Sequence, residues 1–375
     1  METKKIKILE AIRQGRVGGG ETHVLELCTN LDKSLYEPVV LSFTDGPMVQ
    51  ELRKRGIQTH VIFTERGFDN KVWSKVLELI RSEQFDIIHA HGTRAMSNVF
   101  WAAKKAKLPL VYTVHGWSFH PDQNFLVRKA RELSENFLTS KANLTICVSK
   151  SNERDGIERF NMKRSKVIYN AVDLNKFNPE NEFKKIRLEF GISEDKIVIG
   201  YIVRMTVQKD PLTMIRAMKL VAEKSDNIVL LMVGDGDLKA ETVKLTNELD
   251  LQNKVIFESF RSDIPDILNA IDIYCLPSLW EGFPIGILEA MAMKKSVVCS
   301  PVDGNIELVK ANETGLLVEI GNPEKLAEAL LLIANNKSLR NELDNNSYEF
   351  VRTNFGISRL VNSVQQVYTE ICKND

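Results

Sequence analysis

Residues 271–299 read IDIYCLPSLWEGFPIGILEAMAMKKSVVC, and this stretch decides the fold class. Ile271–Leu276 is a short, largely apolar run of strand length. A turn follows, then the apolar stretch Ile285–Met293 at helix length, then a second short run, Ser296–Cys299. Strands that read as near-continuous apolar runs are buried on both faces, which is the mark of a parallel sheet. Strand, turn, helix and strand make one unit of such a sheet.

The same unit repeats outward in both directions. Upstream, Ile197–Val203, Ile228–Val233 and Val255–Phe257 read as strands, and downstream so does Gly315–Val318. Earlier in the chain, strand-like runs are Ile6–Ala11, Pro38–Phe43, Gln58–Phe63, Ile87–Ala90, Leu110–Val114, Leu144–Val148 and Val167–Tyr169. Helical patterns such as Glu21–Leu31, Pro47–Arg55 and Asn124–Ser140 separate them. Right-handed crossovers turn this alternation into an α/β fold of doubly wound, Rossmann-like parallel sheets. The pattern pauses over the polar stretch Asp173–Glu194. Two Rossmann-like lobes facing a cleft are therefore expected, 1–172 and 173–356. Residues 357–375 form a last helix with an apolar stripe at Leu360, Val361, Val364, Val367, Tyr368 and Ile371. That stripe has to pack on something, and the expectation is that the helix crosses back to the first lobe.

The chain has 375 residues, 43% of them apolar and 27% charged. This composition excludes a disordered chain, a collagen-like repeat and a disulfide mini-scaffold. Fifty basic residues balance fifty acidic ones, which argues against nucleic acid as a partner of the whole protein. The balance is uneven along the chain. Residues 1–172 carry 27 basic and 19 acidic side chains, and residues 173–375 carry 23 and 31. A basic first lobe favours an anionic membrane surface. The alternative is scattered solvated charge. No run reaches the roughly 18 apolar residues of a membrane span, and the N-terminus does not read as a signal peptide. The expected place is the cytoplasm, with peripheral attachment to the inner face of the membrane. The five cysteines form no close pair and read as reduced thiols.

Four groups of residues carry chemistry. The first is Gly15-Arg16-Val17-Gly18-Gly19-Gly20, between the first strand and the first helix. Glycines there admit a ligand to the backbone, and a helix N-terminus attracts anions. The spacing is not that of a dinucleotide loop, so a phosphate or sugar loop and a structural turn remain. The second group is His89, His91 and His115 at strand ends. His89 and His91 share a face. Zinc is one reading, but no fourth ligand cluster accompanies them. A satisfied core histidine is another, and for His115 a substrate contact is favoured. His23 reads as a packing residue beside the glycine loop.

The third group is Arg204 and Lys209, two cations flanking a loop that opens a helix, which suits a diphosphate. The alternative is surface charge. The fourth is Glu281 and Glu289. Glu289 lies in an apolar stretch, where a carboxylate is costly unless paired or bound to a hydroxyl.

Taken in order, these motifs resemble the retaining, nucleotide-sugar-dependent glycosyltransferases of the two-lobed GT-B fold, family 4 type (glycosyl transferases group 1). Glu281-x7-Glu289 matches the signature of that family. The resemblance extends through Cys147-Val-Ser149, Asn170-Ala-Val-Asp173, Gly234-Asp-Gly236 and Gly315-Leu-Leu. It implies transfer of a hexosyl or N-acetylhexosaminyl unit, with retention of configuration, to a glycan or lipid-linked precursor of cell-surface polysaccharide. The donor expected is a UDP-sugar. Arg204 and Lys209 would neutralise its diphosphate, Glu289 would hold the ribose, and Glu281 would hold a sugar hydroxyl. Backbone N–H groups of Phe283, Ile285 and Gly286 would contact sugar and phosphate. Gly18 and Gly19 would close over the phosphate, His115 would touch the donor sugar, and the base would lie near Arg261. No cofactor and no metal are implied. His91 and Trp117, with Phe119 and His120 nearby, are candidates for the acceptor. Two positions depart from the common pattern: Pro284 and the pair Asp303-Gly304. A phosphorylase or sugar-nucleotide epimerase on the same fold, and a non-catalytic nucleotide-sugar binder, are the competing readings. Finally, Arg66–Arg81 carries Phe68, Val72, Trp73, Val76, Leu77 and Ile80 among several cations. It reads either as a membrane-surface helix or as an ordinary amphipathic helix packed on the sheet.

Overall fold

A computed structural model describes residues 4–15, 18–120 and 122–373. The chain forms two compact units, Met1–Ala171 with Ile357–Asp375, and Val172–Gly356.

The first unit is built on seven strands: β1 (Ile6–Ile12), β2 (Tyr36–Ser42), β3 (Thr59–Val61), β4 (Ile87–His91), β5 (Leu110–Val114), β6 (Leu144–Cys147) and β7 (Ser165–Val167). All pair in parallel, in the order β3-β2-β1-β4-β5-β6-β7. The second unit has β8 (Ile197–Ile202), β9 (Ile228–Val233), β10 (Val255–Glu258), β11 (Ile273–Leu276), β12 (Ser296–Cys299) and β13 (Leu316–Leu317). Their order is β10-β9-β8-β11-β12-β13, again all parallel. Strand order reverses between β1 and β4, and between β8 and β11. Such switch points open a crevice at the carboxyl ends of the strands.

The strands are parallel because their side chains are apolar on both faces. All six residues of β9 are buried, as are all five of β5. One strand sits earlier than its sequence suggests. β7 is an edge strand with three half-buried residues, Ser165–Val167. The apolar residues beyond it leave the sheet, and Ile168 packs into the core beneath the last helix instead.

That last helix, Ile357–Lys373, belongs to the first unit. It buries Leu360, Val361, Val364, Val367 and Tyr368 against Ile8, Leu27, Ile87, Val111 and Ile146. Each such side chain contributes about 1.5–3 kcal/mol relative to exposure, before entropy. The Tyr36 hydroxyl anchors the helix through the Thr369 hydroxyl, 2.7 Å away, and the Gln365 carbonyl at 3.1 Å.

The 66–81 stretch resolves into a helix, Asn70–Glu83, capped by Asp69, which accepts from the Lys71 N–H. Val72, Val76 and Ile80 are buried. Trp73 stacks on Trp101 with centroids 5.7 Å apart. The helix's inner stripe is covered by protein, with Trp73 and Leu77 partly buried against the same core, which is the ordinary packed helix. Cys28, Cys147, Cys275 and Cys299 are buried free thiols. Burial pushes the Cys275 thiol far above its ordinary range. No helix among the described residues is long and apolar enough to cross a membrane.

Candidate active site

In the first unit the chemistry gathers at the β1/β4 switch point. Glu10 pairs in register with His89, and Ile12 with His91, so the period of two puts Glu10 and both imidazoles on one face. Glu10 is fully buried. Its Oε2 lies 2.8 Å from His91 Nε2, and its Oε1 accepts from the Tyr368 hydroxyl at 2.6 Å. His89 Nδ1 lies 2.6 Å from that hydroxyl, and His89 Nε2 lies 2.7 Å from the Thr113 hydroxyl. His91 Nδ1 is 3.2 Å from His115 Nε2.

One charge sets the direction of these bonds. Burial alone would raise the Glu10 carboxyl, but His89 and His91 overcome it and hold the group well below the usual carboxylate range. Burial lowers His91 to about 4 and, with repulsion from His91, His23 to about 3. It also carries His115 well below the ordinary imidazole range. An ionised carboxylate only accepts, so His91 donates from Nε2. Its Nδ1 then accepts from His115 Nε2–H, and His115 is left with a lone pair on Nδ1. That atom and His23 Nε2 are buried with no hydrogen-bond partner among the described residues.

One ring nitrogen from each of His23, His91 and His115 lies within 4.8 Å of the others, as does one ligand atom from each of Glu10, His89 and His91. In this arrangement both nitrogens of His89 and of His91 have protein partners. The two uncommitted ring nitrogens are fewer than the three protein ligands of a catalytic zinc.

The glycine loop flanks this network. Arg16 and Val17 lie outside the described residues. Gly18 is the N-cap residue and Gly19 the first residue of the helix Gly19–Asn30. At Gly20 a Cβ would stand 3.3 Å from the His115 ring, so glycine there makes room for the imidazole.

Two acceptor candidates are corrected. Trp117 is 5% exposed, stacks on Phe119 with centroids 5.6 Å apart, and donates its indole N–H to the Asn152 carbonyl at 2.9 Å. It is core and has no free face for a sugar ring. His91 is 1% exposed with both nitrogens engaged by Glu10 and His115, so neither is left for an acceptor. Glu10 and Tyr368 were not found from sequence, although an acid inside the apolar strand Ile6–Ile12 was a visible signal.

In the second unit, two loops meet at the β8/β11 switch point. Leu279 N–H donates to the Gln208 carbonyl at 2.8 Å, and the Gln208 amide donates to the Trp280 carbonyl at 2.8 Å. Across this seam the Lys209 ammonium binds the Glu281 carboxylate. The pair is mostly buried, with side chains 19% and 5% exposed. The Tyr201 hydroxyl holds the Lys209 carbonyl at 2.9 Å. Asp303 accepts from the Glu281 N–H at 3.0 Å, with its own backbone at φ 34°. Arg204 is exposed, and its side chain has no partner among the described residues. Its loop is clasped by the Gly234-Asp-Gly236 turn, for Met205 N–H donates to the Asp235 carbonyl at 3.0 Å and Leu238 N–H to the Met205 carbonyl at 3.1 Å.

The helix Ile285–Ala292 starts at this seam with Pro284 as its N-cap. A proline there forfeits nothing, because the first N–H groups of a helix have no partner within it. At Gly286 a Cβ would meet the Tyr274 hydroxyl at 2.4 Å, so only glycine fits. Glu289 is half-buried one turn on, on the same face as Ile285 and Gly286. Phe283 is buried against Phe355, centroids 5.5 Å apart. The Arg261 side chain is committed to Asp263 and Glu189, at 2.8 and 2.5 Å.

Residues 17–176 match the family described as Glycosyltransferase Family 4, and residues 182–350 match Glycosyl transferases group 1. The chain is 30% identical over 315 residues to a galactosyltransferase of Escherichia coli, covering 82% of this chain and 81% of that one. This chain belongs to glycosyltransferase family 4. The E. coli relative is described as UDP-Gal:alpha-D-GlcNAc-diphosphoundecaprenol alpha-1,3-galactosyltransferase. An uncharacterised glycosyltransferase of Methanocaldococcus jannaschii is 26% identical, with 94% of each chain covered. The Anabaena HepE structure with UDP and glucose superposes on this glycosyltransferase with a TM-score of 0.87 over 97% of this chain and all of that one, at 24% identity. That likeness carries the two-lobed GT-B fold.

Proposed function

We propose that this glycosyltransferase moves a sugar from UDP to a hydroxyl of a lipid-linked glycan, with retention of configuration and without a metal. The observation that carries the reading is the seam in the second unit. There an exposed Arg204, the mostly buried Lys209–Glu281 pair and the N-terminus of the Ile285–Ala292 helix lie on the loops that follow the neighbouring strands β8 and β11. As the donor's glycosidic bond breaks, charge grows on the β-phosphate. Preorganised cations and helix N–H groups stabilise that charge, which is the role a metal ion would otherwise fill. Glu281 would hold a sugar hydroxyl and Glu289 the ribose diol. His115 would touch the donor sugar. Retention requires attack from the face of departure, with the leaving phosphate taking the acceptor proton.

The UDP and lipid-linked parts of the reading are supported by the E. coli relative's described reaction. The excess of basic residues over the first 172 positions supports an acceptor presented at an anionic membrane surface. A thermal-shift series with UDP-, GDP- and ADP-sugars tests the donor, since a ligand that binds only the folded state raises its stability. The UDP-sugars should give the largest shift. A larger shift with GDP- or ADP-sugars would overturn the choice of base.

A further inference from the structure

The helix Phe125–Lys141 in the first unit is built inside out. Its inward face carries Glu132, Glu135, Leu138 and Thr139. Glu135 is fully buried, accepting from the hydroxyls of Ser118, Thr93 and Tyr112 at 2.5, 2.7 and 2.9 Å. Its outward face carries Leu126, Ala130, Leu133 and Phe137, spaced four, three and four, which is one stripe of a helix. Leu126 is 77% exposed and Leu133 69%. An ordinary surface helix has the reverse arrangement.

The stripe continues into a second apolar feature. A cavity of about 410 Å³ between this helix and the preceding one is lined by Phe100, Trp101, Leu108 and Phe137, with Lys104 and Lys141 at its rim. Phe68 packs beside Phe100 and Phe137, with centroids 6.0 and 6.3 Å away. Lys141 lies 4.9 Å over the Phe137 ring and Lys105 lies 5.7 Å over Trp101. The helix has two acids, Glu132 and Glu135, and both face inward. The outward charges are all positive.

We propose that this face docks on a bilayer surface bearing anionic headgroups, with the apolar stripe entering the headgroup boundary and the lysines pairing with lipid phosphates. Aromatic side chains with lysines alongside suit that boundary, where ammonium groups reach outward from an apolar bed. A second copy of the chain fits less well. Pairing the stripe with itself would bring lysines together with no outward acid to neutralise them. The proposal rests on the membrane part of the functional reading and names the surface responsible.

The test is sedimentation of the full chain with vesicles of phosphatidylcholine alone, and with 30 mol% (about a third) phosphatidylglycerol, at low and high salt. The protein should bind the anionic vesicles and release in salt. Leu126→Glu with Leu133→Glu should weaken binding by roughly tenfold or more. Lys104→Glu with Lys141→Glu should do the same by removing the charge attraction, at roughly fivefold per lysine. All four side chains are exposed, and circular dichroism checks that the variants fold. Salt-sensitive binding unchanged in Leu126→Glu/Leu133→Glu overturns the surface while leaving the membrane reading in place. No binding to anionic vesicles overturns both. A wild-type dimer that the leucine pair dissolves, with no vesicle binding, assigns the face to a second copy. UDP-induced thermal shift on the same samples tests the donor site separately, whatever the vesicles show.

Discussion

The two switch points solve the problem of buried charge in opposite ways. At β1/β4 a single carboxylate, Glu10, is fully enclosed and hydrogen-bonded to His91 and Tyr368. Every bond there has a fixed direction, so the network is set before any ligand arrives. At β8/β11 the charges come as a pair, Lys209 with Glu281, on loops that also carry Arg204, which is exposed and without a partner among the described residues. That site keeps one cation exposed and holds the other in a mostly buried ion pair. On the proposed reading, the second site would absorb charge as the donor bond breaks, while the first would act through its fixed geometry.

Removing charge from the second site should have the largest effect. Lys209→Ala and Glu289→Ala are each expected to lower transfer by about 10²-fold or more, the scale of transition-state contacts. The two should part in stability. Lys209→Ala strands Glu281 in a mostly buried place and should cost about 3 kcal/mol in denaturant unfolding. Glu289→Ala is expected to cost under about 1 kcal/mol, because Glu289 is half-buried at a helix surface. Turnover close to wild type in either variant would remove the assignment of the donor site.

The first site should respond through geometry. In Glu10→Gln, one oxygen and one NH₂ group replace two acceptors, so the Tyr368 hydroxyl or His91 N–H faces a donor. Expected loss is about 2–3 kcal/mol of stability. His91 is also free to change tautomer, after which His115 would present N–H in place of its lone pair. Transfer should then fall with KM for the donor raised, whereas a merely structural role would lower active fraction alone. Tyr368→Phe keeps the carboxylate and should cost about half as much, with KM unchanged.

Much of this was legible in the sequence, for identifiable reasons. The parallel sheets follow from apolar runs such as Ile228–Val233, which have no polar face. Glu281 and Glu289 stand out because carboxylates are rare in apolar surroundings. Glu10 obeys the same rule, yet it lies inside a strand and not at a strand end, where ligands are sought. Trp117 misleads because residue type and loop position both suggest a ligand contact, while tertiary packing puts it in the core. The pairing of Lys209 with Glu281, 72 residues apart, depends on two loops meeting and has no local signal.

Acid should separate the two units. All six histidines precede residue 121. His91 at about 4 and His23 at about 3 stay neutral in the fold, while an unfolded histidine takes a proton near pH 6.5. The unfolded chain therefore binds more protons below 6.5, and stability falls as pH falls from 6.5 toward 4. Each of the two contributes about 1.4 kcal/mol per pH unit in that window. Glu10 acts lower, since its depressed carboxyl contributes stability that is lost only as pH falls below the unfolded value near 4.5. Trp73, Trp101 and Trp117 all lie in the first unit and Trp280 in the second, so tryptophan fluorescence is weighted toward the unit expected to weaken. A midpoint that does not move between pH 7 and 5 would contradict neutral buried histidines.

The smallest effect is expected where the sequence departs from its family. Asp303 occupies a left-handed backbone, φ 34°, which glycine adopts without strain. Its carboxylate also accepts the Glu281 N–H at 3.0 Å. Asp303→Gly therefore gains roughly 1 kcal/mol from relief of the left-handed backbone and loses roughly 1 kcal/mol from the hydrogen bond, leaving stability nearly unchanged. Activity should be less forgiving, because that bond holds the backbone from which Glu281 reaches Lys209. A drop of less than about tenfold in kcat/KM, at constant melting temperature, is the expected outcome. If Asp303→Gly instead raised turnover, the aspartate would be restraining the Glu281 loop.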